Sequence, residues 1–460
     1  MVAVLIGIVG VYSYNVNVAK CTVPYSDFFR WILDYSKEII SGKGIMVFFE
    51  NDNSQHYQPL ACLISMGFLH VVNYDFSMLV ISGIVIKVAA CIILLLIYFY
   101  NSKKTSISTM IFSSVLIVIS MLNYNQWEII TEPFALASAV RVLLYMGSFW
   151  GLAVFFRTYS KRSWEKNCAY VIAIGLVNDV IIVTICGGYF AAYSFALIFT
   201  VIVAMLTNRS KQKYYLTVIY FLILFAGITV YLSLSNTFDE SGVGITVTIE
   251  NIIAILDGFV LFWGTSLLPT TMVNFPGTVE FYCIIGCILL ILMFGMFVFC
   301  IINNNKKGGD VYNLFAICLI VYANALGLSI AVARVPAYGI QTMMSSRYTV
   351  DSALGLMAFS FGFSRCAIEL QRKEEKLFRI MKRTIDITLL LLCIILMGTS
   401  IYEGSKSKYI RGFYDEIEEQ LQNIDGCSDE FLSSISGTKS QIARKSLKYM
   451  KAQKISIYSK

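Results

Sequence analysis

The chain alternates long apolar runs with short polar breaks. Apolar runs fall near residues 2–14, 77–100, 106–122, 134–156, 168–187, 188–206, 214–234, 279–302, 311–333, 349–366 and 385–402. Most approach the ~17–25 residues that a helix needs to cross a hydrocarbon layer. A transmembrane barrel would instead show alternating segments of ~10 residues. The pattern predicts an all-α, polytopic transmembrane helix bundle of about eleven spans. The first run has no basic leader and no clear small-residue cleavage site, so it reads as a retained helix rather than a signal peptide. A polar stretch follows over about 15–76, with a shorter apolar patch near 59–72.

Two regions depart from this rhythm. Residues about 246–267 are apolar enough for a helix, yet both flanking spans need the region on the same side of the membrane. The expectation is an in-plane or re-entrant helix, interrupted by Glu250 and Asp257, with a miscounted span as the alternative. Such backbone is tolerated only where protein or a cavity covers it. Beyond residue 402 the composition changes. Ile410, Phe413, Ile417, Leu421 and Ile424 recur at spacings of three and four, which predicts an amphipathic helix on the membrane or on the loops. Gly437 breaks the pattern before a second, basic helix. The division expected is a transmembrane domain over 1–402, with 15–76 as its large first outer loop, and a helical tail over 403–460. No internal repeat is evident, which gives no support to a transporter built from inverted halves.

Composition narrows the class. The 460 residues are 57% hydrophobic and 14% charged, with a mean hydropathy of +0.70, whereas soluble domains run at about 25% charged. A disordered chain, a nucleic-acid binder and an ordinary cytosolic enzyme are excluded; the lipid bilayer is the expected partner. The placement of charge matters more than its net value of +7. Lys103, Lys104, Arg157, Lys161, Arg162, Lys166, Arg209, Lys211, Lys213, Lys306, Lys307 and seven basic residues from Arg365 to Arg383 fall in one set of loops. Only Lys20, Arg30, Lys37, Lys43, Arg334 and Arg347 fall in the opposite set. The positive-inside rule makes the first set cytoplasmic. The N-terminus is then cytoplasmic, and the first loop, the 235–278 loop, the 334–348 loop and the tail lie outside. The tail's own basic residues run against this, but tails obey the rule weakly. Of the 12 cysteines, most sit in apolar runs as small buried hydrophobes. No zinc-type spacing appears and only His56 and His70 are present, so no metal or other cofactor is expected. Cys21 and Cys427 face the outer side; the preferred reading leaves them free, with a disulfide as the alternative.

The unusual polar residues gather on that outer side. The first loop carries Asp27, Arg30, Asp34, Glu38, Glu50, Asp52 and His56. After the third span comes Asn123-Tyr-Asn-Gln126-Trp-Glu128, then Glu132. Arg334 ends the ninth span, and Ser345-Ser-Arg347-Tyr348 closes the following loop. Ordinary solvated loop charge explains Glu38 or Lys43. It explains Asp27 and Arg347 less well, because ionisable groups beside helix ends usually mark a site. Arg141, Asp179 and Lys87 lie inside spans and need a partner or a cavity; for Arg141 and Asp179 a structural interhelical pair or contact with a buried carbonyl is the plainer reading. An arginine fork suits phosphate, and a carboxylate can take the proton of an attacking hydroxyl. Together these are compatible with glycosyl transfer from a polyprenyl-phosphate sugar to a glycan. Candidate catalytic residues are Asp27, Glu50, Asp52, His56 and Glu128. Candidate substrate- or phosphate-binding residues are Arg334, Arg347, Tyr348, Gln126 and Arg141.

Three segments also carry a resemblance. Ser26-Asp-Phe-Phe-Arg30, followed by Asn53-Ser-Gln-His56-Tyr-Gln-Pro59, resembles the first outer loop of a group of bacterial multi-spanning proteins, in which an acidic pair follows helix one and an "HNEHR…P" stretch precedes helix two. Asn123-Tyr-Asn-Gln126-Trp-Glu128 is similar to their "QWEN" stretch. Ala333-Arg334…Tyr338-Gly339…Ser345-Ser-Arg347-Tyr348-Thr-Val-Asp-Ser352 resembles their "GR…G…SSRYTT.S" segment. The layout of that group is similar to the GT-C superfamily of membrane glycosyltransferases. The resemblance implies a GT-C-like fold, a lipid-linked sugar donor, Asp27 at the acid position and His56 as the second His of the loop motif. This chain departs from the pattern: the acidic pair is Ser26-Asp27, Asn53 and Gln55 replace the first His and the Glu, and Tyr57 replaces the Arg. The function expected is transfer of a sugar from undecaprenyl phosphate to a surface glycan such as O-antigen, in the bacterial inner membrane. A polysaccharide polymerase is the alternative, and a flippase or transporter of lipid-linked oligosaccharide the further one.

Overall fold

A computed structural model describes residues 1–459 except 37–44, 50–56, 103–104, 207–210, 236–247, 273–275, 307–309, 372–375 and 438. The described residues form eighteen α-helices joined by short 3₁₀ and π turns, with no strand among them. In chain order these are α1 (Val2–Ala19), α2 (Phe28–Trp31), α3 (Pro59–Val71), α4 (Phe76–Asn101), α5 (Ile107–Met121), α6 (Trp127–Thr131), α7 (Ala135–Thr158), α8 (Trp164–Thr184), α9 (Phe190–Leu206), α10 (Lys211–Leu234), α11 (Ile249–Leu267), α12 (Thr278–Lys306), α13 (Val311–Tyr338), α14 (Thr349–Gln371), α15 (Lys376–Gly404), α16 (Ser407–Gln422), α17 (Asp429–Ser436) and α18 (Ser440–Gln453).

In hydrocarbon, backbone groups must be satisfied within the segment, so apolar runs of this length become helices. Their starts are set by short polar caps. Asp75 accepts the amide of Ser77 ahead of α4, Ser106 that of Thr109 ahead of α5, and Asp310 those of Tyr312 and Asn313 ahead of α13. Twelve helices among the described residues are long and apolar enough to cross a bilayer. The protein is an all-α, multi-pass membrane bundle. Helices α5, α7, α13 and α14 form its buried centre. Helices α4, α10 and α12 surround it and expose Val85, Leu96, Leu222, Ile291 and Phe294, the apolar faces that lipid covers.

Eleven of the twelve alternate in direction. The twelfth, α11, ends at the face where α10 also ends and α12 begins, as the Tyr231–Gly187 and Asn125–Leu268 hydrogen bonds fix. The alternation therefore omits α11, as the parity of the sequence requires. Its first half exposes Ile249, Ile252, Ile253 and Leu256, while Gly258 and Leu261–Leu267 are buried. Its contact with α12 is backbone against backbone: a Cβ on Gly264 would run into the carbonyl oxygen of Tyr282, and one on Gly286 into that of Val260. Small residues permit this approach in membranes, where van der Waals packing drives helix association.

The turns fall into two ends. At the upper end lie the 20–31, 123–132, 268–272 and 339–349 segments and the tail. Cys21 N donates to Thr131 O at 2.8 Å and Tyr124 N to Ser400 Oγ at 3.0 Å. At the lower end Asp310 pairs with Arg365 at 3.1 Å, and Asp386 accepts from Ser108 and Thr109. The expected amphipathic tail is present as α16, with Tyr414, Ile417 and Leu421 buried. It packs on the 20–26 segment, in a cluster with Cys21, Val23 and Phe29, so its apolar face is covered by protein. Phe413, expected on that face, is 46% exposed; its ring makes a T-shaped contact with Tyr25 and a tilted one with Tyr414. Cys21 and Cys427 join the same cluster as free thiols. Gly437 ends α17 in the left-handed region before α18.

Candidate functional site

The site is assembled from three upper-end segments. Asn125 is the first clamp. Its Nδ2 donates to Thr265 O at 2.8 Å and Leu268 O at 3.0 Å, and its Oδ1 accepts from Thr270 N at 3.0 Å. This ties the turn before α6 to the end of α11. The second clamp is Thr349, whose hydroxyl reaches Asn125 O at 3.1 Å and Ser346 O at 2.7 Å. Together they bring Glu128 against Ser345-Ser-Arg347. One carboxylate oxygen of Glu128 accepts from Ser345 at 2.8 Å and Ser346 at 3.2 Å; the other accepts from Arg347 Nε at 2.7 Å and from its Nη2. The Arg347 side chain remains 52% exposed. Arg334 is exposed at the end of α13, over the ring of Tyr338 and within electrostatic reach of half-buried Tyr348.

The third segment is the first loop. Ser26 adopts a left-handed φ of 54° and its amide donates to Ile435 O of the tail at 2.8 Å. Thr22 bonds Glu418 at 2.8 Å, and the ring of Tyr25 meets Tyr414 edge-on. The tail thereby fixes the backbone next to Asp27, which is exposed and precedes α2.

Glu132 lies between these parts. It is 7% exposed, and its carboxyl makes no hydrogen bond to a described residue. Burial, the Glu128 carboxylate and the Asp27 carboxylate raise it to about 8, with Arg347 opposing them. Desolvation, with Glu132 and Glu128 adding, pushes the Tyr25 phenol up to about 12. A buried acid beside another acid favours its neutral form, and that is the direction in which Glu132 is pushed.

A second polar layer is fully enclosed. Arg141 Nη2 reaches both oxygens of Asp351, at 3.2 and 2.9 Å, and Tyr322 donates to Asp351 at 2.7 Å. The guanidinium also stacks 3.7 Å over the ring of Tyr189. Nearby, Lys87 donates to Gln126 Oε1, and Gln126 Nε2 donates to Ser120 O at 2.9 Å. The adjoining crevice, lined by Ser120, Asn123, Gln126, Ser266 and Thr349, is too narrow to admit a water molecule.

Of the sequence candidates, Glu128 and Arg347 are in contact, and Asp27, Arg334 and Tyr348 lie at the same upper end. Gln126 and Arg141 are turned inward, with internal partners. Glu50, Asp52 and His56 lie outside the described residues. Glu132 was visible as an outer acid but carried no role. Asp351 was missed; its signal is an acid at a span entrance, which a buried arginine such as Arg141 needs. Asp179 does not pair with Arg141, and a Cβ on Gly227 would meet its carboxylate. No group of three His, Cys, Asp or Glu side chains suited to a metal occurs among the described residues. In comparison with known proteins, no family model and no curated protein matches this chain.

Proposed function

We propose that this protein is a GT-C-like glycosyltransferase of the bacterial inner membrane, moving a sugar from a polyprenyl-phosphate donor onto a surface glycan such as O-antigen. One observation carries the reading. An exposed guanidinium, Arg347, held by Glu128, stands at the same end of a membrane bundle as an exposed carboxylate, Asp27, whose segment is tied there by the Cys21–Thr131 and Ser26–Ile435 hydrogen bonds. In the reaction the acceptor hydroxyl attacks the sugar's anomeric carbon, and the bond to phosphate breaks with its electron pair. Asp27 takes the hydroxyl proton, while Arg347 and Arg334 hold the departing phosphate. A donor approaching from the bilayer meets the arginines at the end of the helices, and the acceptor arrives from the aqueous side.

The distribution of charge supports an orientation with this end outside the cytoplasm. Arg157, Lys161, Arg162, Lys166, Lys211 and Lys213 all flank turns at the opposite end. The N-terminus is then cytoplasmic and the tail periplasmic. Several tail cations are paired there, Arg411 with Asp415 and Arg444 with Asp429, which moderates their opposition to that placement.

The test is transfer by the purified protein in liposomes, with a radiolabelled polyprenyl-phosphate sugar and an isolated surface glycan. Label moving to the glycan one sugar at a time is the expected result. Transfer of whole lipid-linked chains would make the protein a polymerase. Movement of the lipid across the bilayer without transfer would make it a flippase.

A further inference from the structure

We propose that Asp179 is a carboxylic acid that holds a proton and opens onto the bilayer, a modification site for hydrophobic carbodiimides. It lies on α8, outside the upper-end cluster, and is independent of the transferase reading.

The sequence sets an acid in the apolar stretch Val171–Thr184 of α8. Asp179 stands five residues before the upper end of the helix at Thr184, about 8 Å below it at ~1.5 Å per residue. Leu176, Val177 and Val180 beside it are exposed, as are Leu222, Phe225 and Val230 on α10. These are faces that hydrocarbon covers. The preceding residue, Asn178, turns inward instead. It is fully buried, accepts from Tyr193 at 2.8 Å and donates to the Tyr220 hydroxyl at 2.8 Å. Asn178 therefore serves the polar interior, and half-buried Asp179 is left in the seam between α8 and α10.

That seam is cut by glycine. Helices α8 and α10 run in the same direction, and Gly175 meets Ile223 while Asp179 meets Gly227, four residues further along both. A Cβ on Gly227 would run into the Asp179 carboxyl, so its absence makes the recess in which the carboxyl rests. One carboxyl oxygen is buried there without a hydrogen-bond partner. Asp179 forms no ion pair with a described residue. The two cations inside neighbouring spans are engaged elsewhere, Arg141 by Asp351 and Lys87 by Gln126. An ionised carboxylate without a counter-charge is costly in hydrocarbon, and such a group takes up a proton instead. The result is a neutral acid that a reagent dissolved in the lipid can reach.

Carbodiimide chemistry reads both properties at once. The carboxyl proton passes to a carbodiimide nitrogen, and the carboxyl oxygen bonds the central carbon. The acyl group then moves from that oxygen to a nitrogen, which leaves a stable N-acylurea. An ionised carboxylate lacks the proton for the first step, and a carboxyl reached only from water is out of range of a reagent held in the bilayer.

The experiment treats the protein in liposomes at neutral pH with dicyclohexylcarbodiimide and locates the adduct by peptide mass spectrometry. One carbodiimide should be found on Asp179, and none after treatment with a charged, water-soluble carbodiimide. Asp179→Asn should lose the adduct. No adduct at Asp179 in the wild type, or equal labelling by the water-soluble reagent, overturns the proposal. So does an adduct on the α8 peptide that persists in Asp179→Asn, because it belongs to another residue. A melting measurement in detergent separates this site from a structural one. Asp179→Leu should keep or raise the midpoint, since the carboxyl has no partner to lose. A lowered midpoint would show that the protein holds the carboxyl, and would equally remove the bilayer-facing acid.

Discussion

Arg347 and Asp351 stand one helical turn apart, and each belongs to an arginine–carboxylate pair of a different kind. The Arg347–Glu128 pair is open: the arginine side chain is 52% exposed and the glutamate 15%. The Arg141–Asp351 pair is closed, at 9% and 0%. The chemistry of the two is nearly the same, yet burial gives them different work. Water screens the open pair and competes for it, so it contributes ~0–1 kcal/mol to stability and can exchange its partner for a ligand anion. In the closed pair, desolvation has removed both groups from water. Neither charge can leave without stranding the other, which makes the pair part of the scaffold. Tyr322 and Tyr189 complete the enclosure by occupying an oxygen of Asp351 and the face of the guanidinium.

The largest effect should come from breaking the closed pair. Arg141→Ala leaves Asp351 buried without its cation, a change of about 3–5 kcal/mol in comparable cases. The expected outcome is loss of most folded protein from the membrane and a lower melting midpoint in detergent. Replacing both residues by leucine should restore much of the loss, since well-packed apolar groups substitute for buried ion pairs. Arg141→Ala with wild-type yield and midpoint would erase the contrast between the layers.

The same contrast sets what could be read from the chain alone. The spans and the amphipathic tail were legible, because period and length are local properties; the 246–267 segment was legible as a helix, but Glu250 and Asp257 do not interrupt it, since Ile249–Leu267 is one continuous helix. The lengths of the ends were less so. The first run was read to residue 14 and continues as helix to Ala19, through Asn15 and Asn17, which the hydropathy pattern counts as a break. The site was legible as a list of types on one side of the membrane. What the sequence does not contain is burial. Arg141 and Gln126 read as possible ligand contacts because arginine and glutamine can serve that purpose. Asp351 and Lys87 are separated from them by long stretches of chain and meet them only in the packed bundle. Glu132 shows the converse. Its residue type was plain, but the upward push on its carboxyl comes from burial, from Glu128 and from Asp27 some hundred residues earlier in the chain.

An intermediate effect is expected at Asp27. Asp27→Asn preserves size and removes basicity, and a positioned base accounts for roughly 10²-fold or more in rate. The fall should appear in kcat in the liposome transfer assay, with melting midpoint and membrane yield unchanged because the side chain is exposed. Paired with Arg141→Ala, this separates the layers: one variant loses chemistry and keeps the fold, the other loses the fold. Transfer at the wild-type rate by Asp27→Asn would move the base to another outer carboxylate, Glu50, Asp52 or Glu128.

The smallest effect should come from Arg347→Lys. Lysine keeps the charge beside Glu128, so stability should shift by no more than ~1 kcal/mol. It loses the planar fork, which can present two parallel donors to a phosphate, and replaces it with a flexible point charge. A phosphate held by that fork should bind about tenfold more weakly, the scale of ~1.4 kcal/mol, and this should appear as a raised KM for the lipid-linked donor. Arg334→Lys should act in the same direction, its side chain being equally open to the donor. The informative comparison is Arg141→Lys, in which the charge is also kept. There the loss should be of stability, since lysine cannot reproduce both the contact with Asp351 and the stacking on Tyr189. If Arg347→Lys and Arg334→Lys both leave KM at the wild-type value while Arg141→Lys raises it, the substrate reaches the inner layer, and the division between open and closed pairs is drawn in the wrong place.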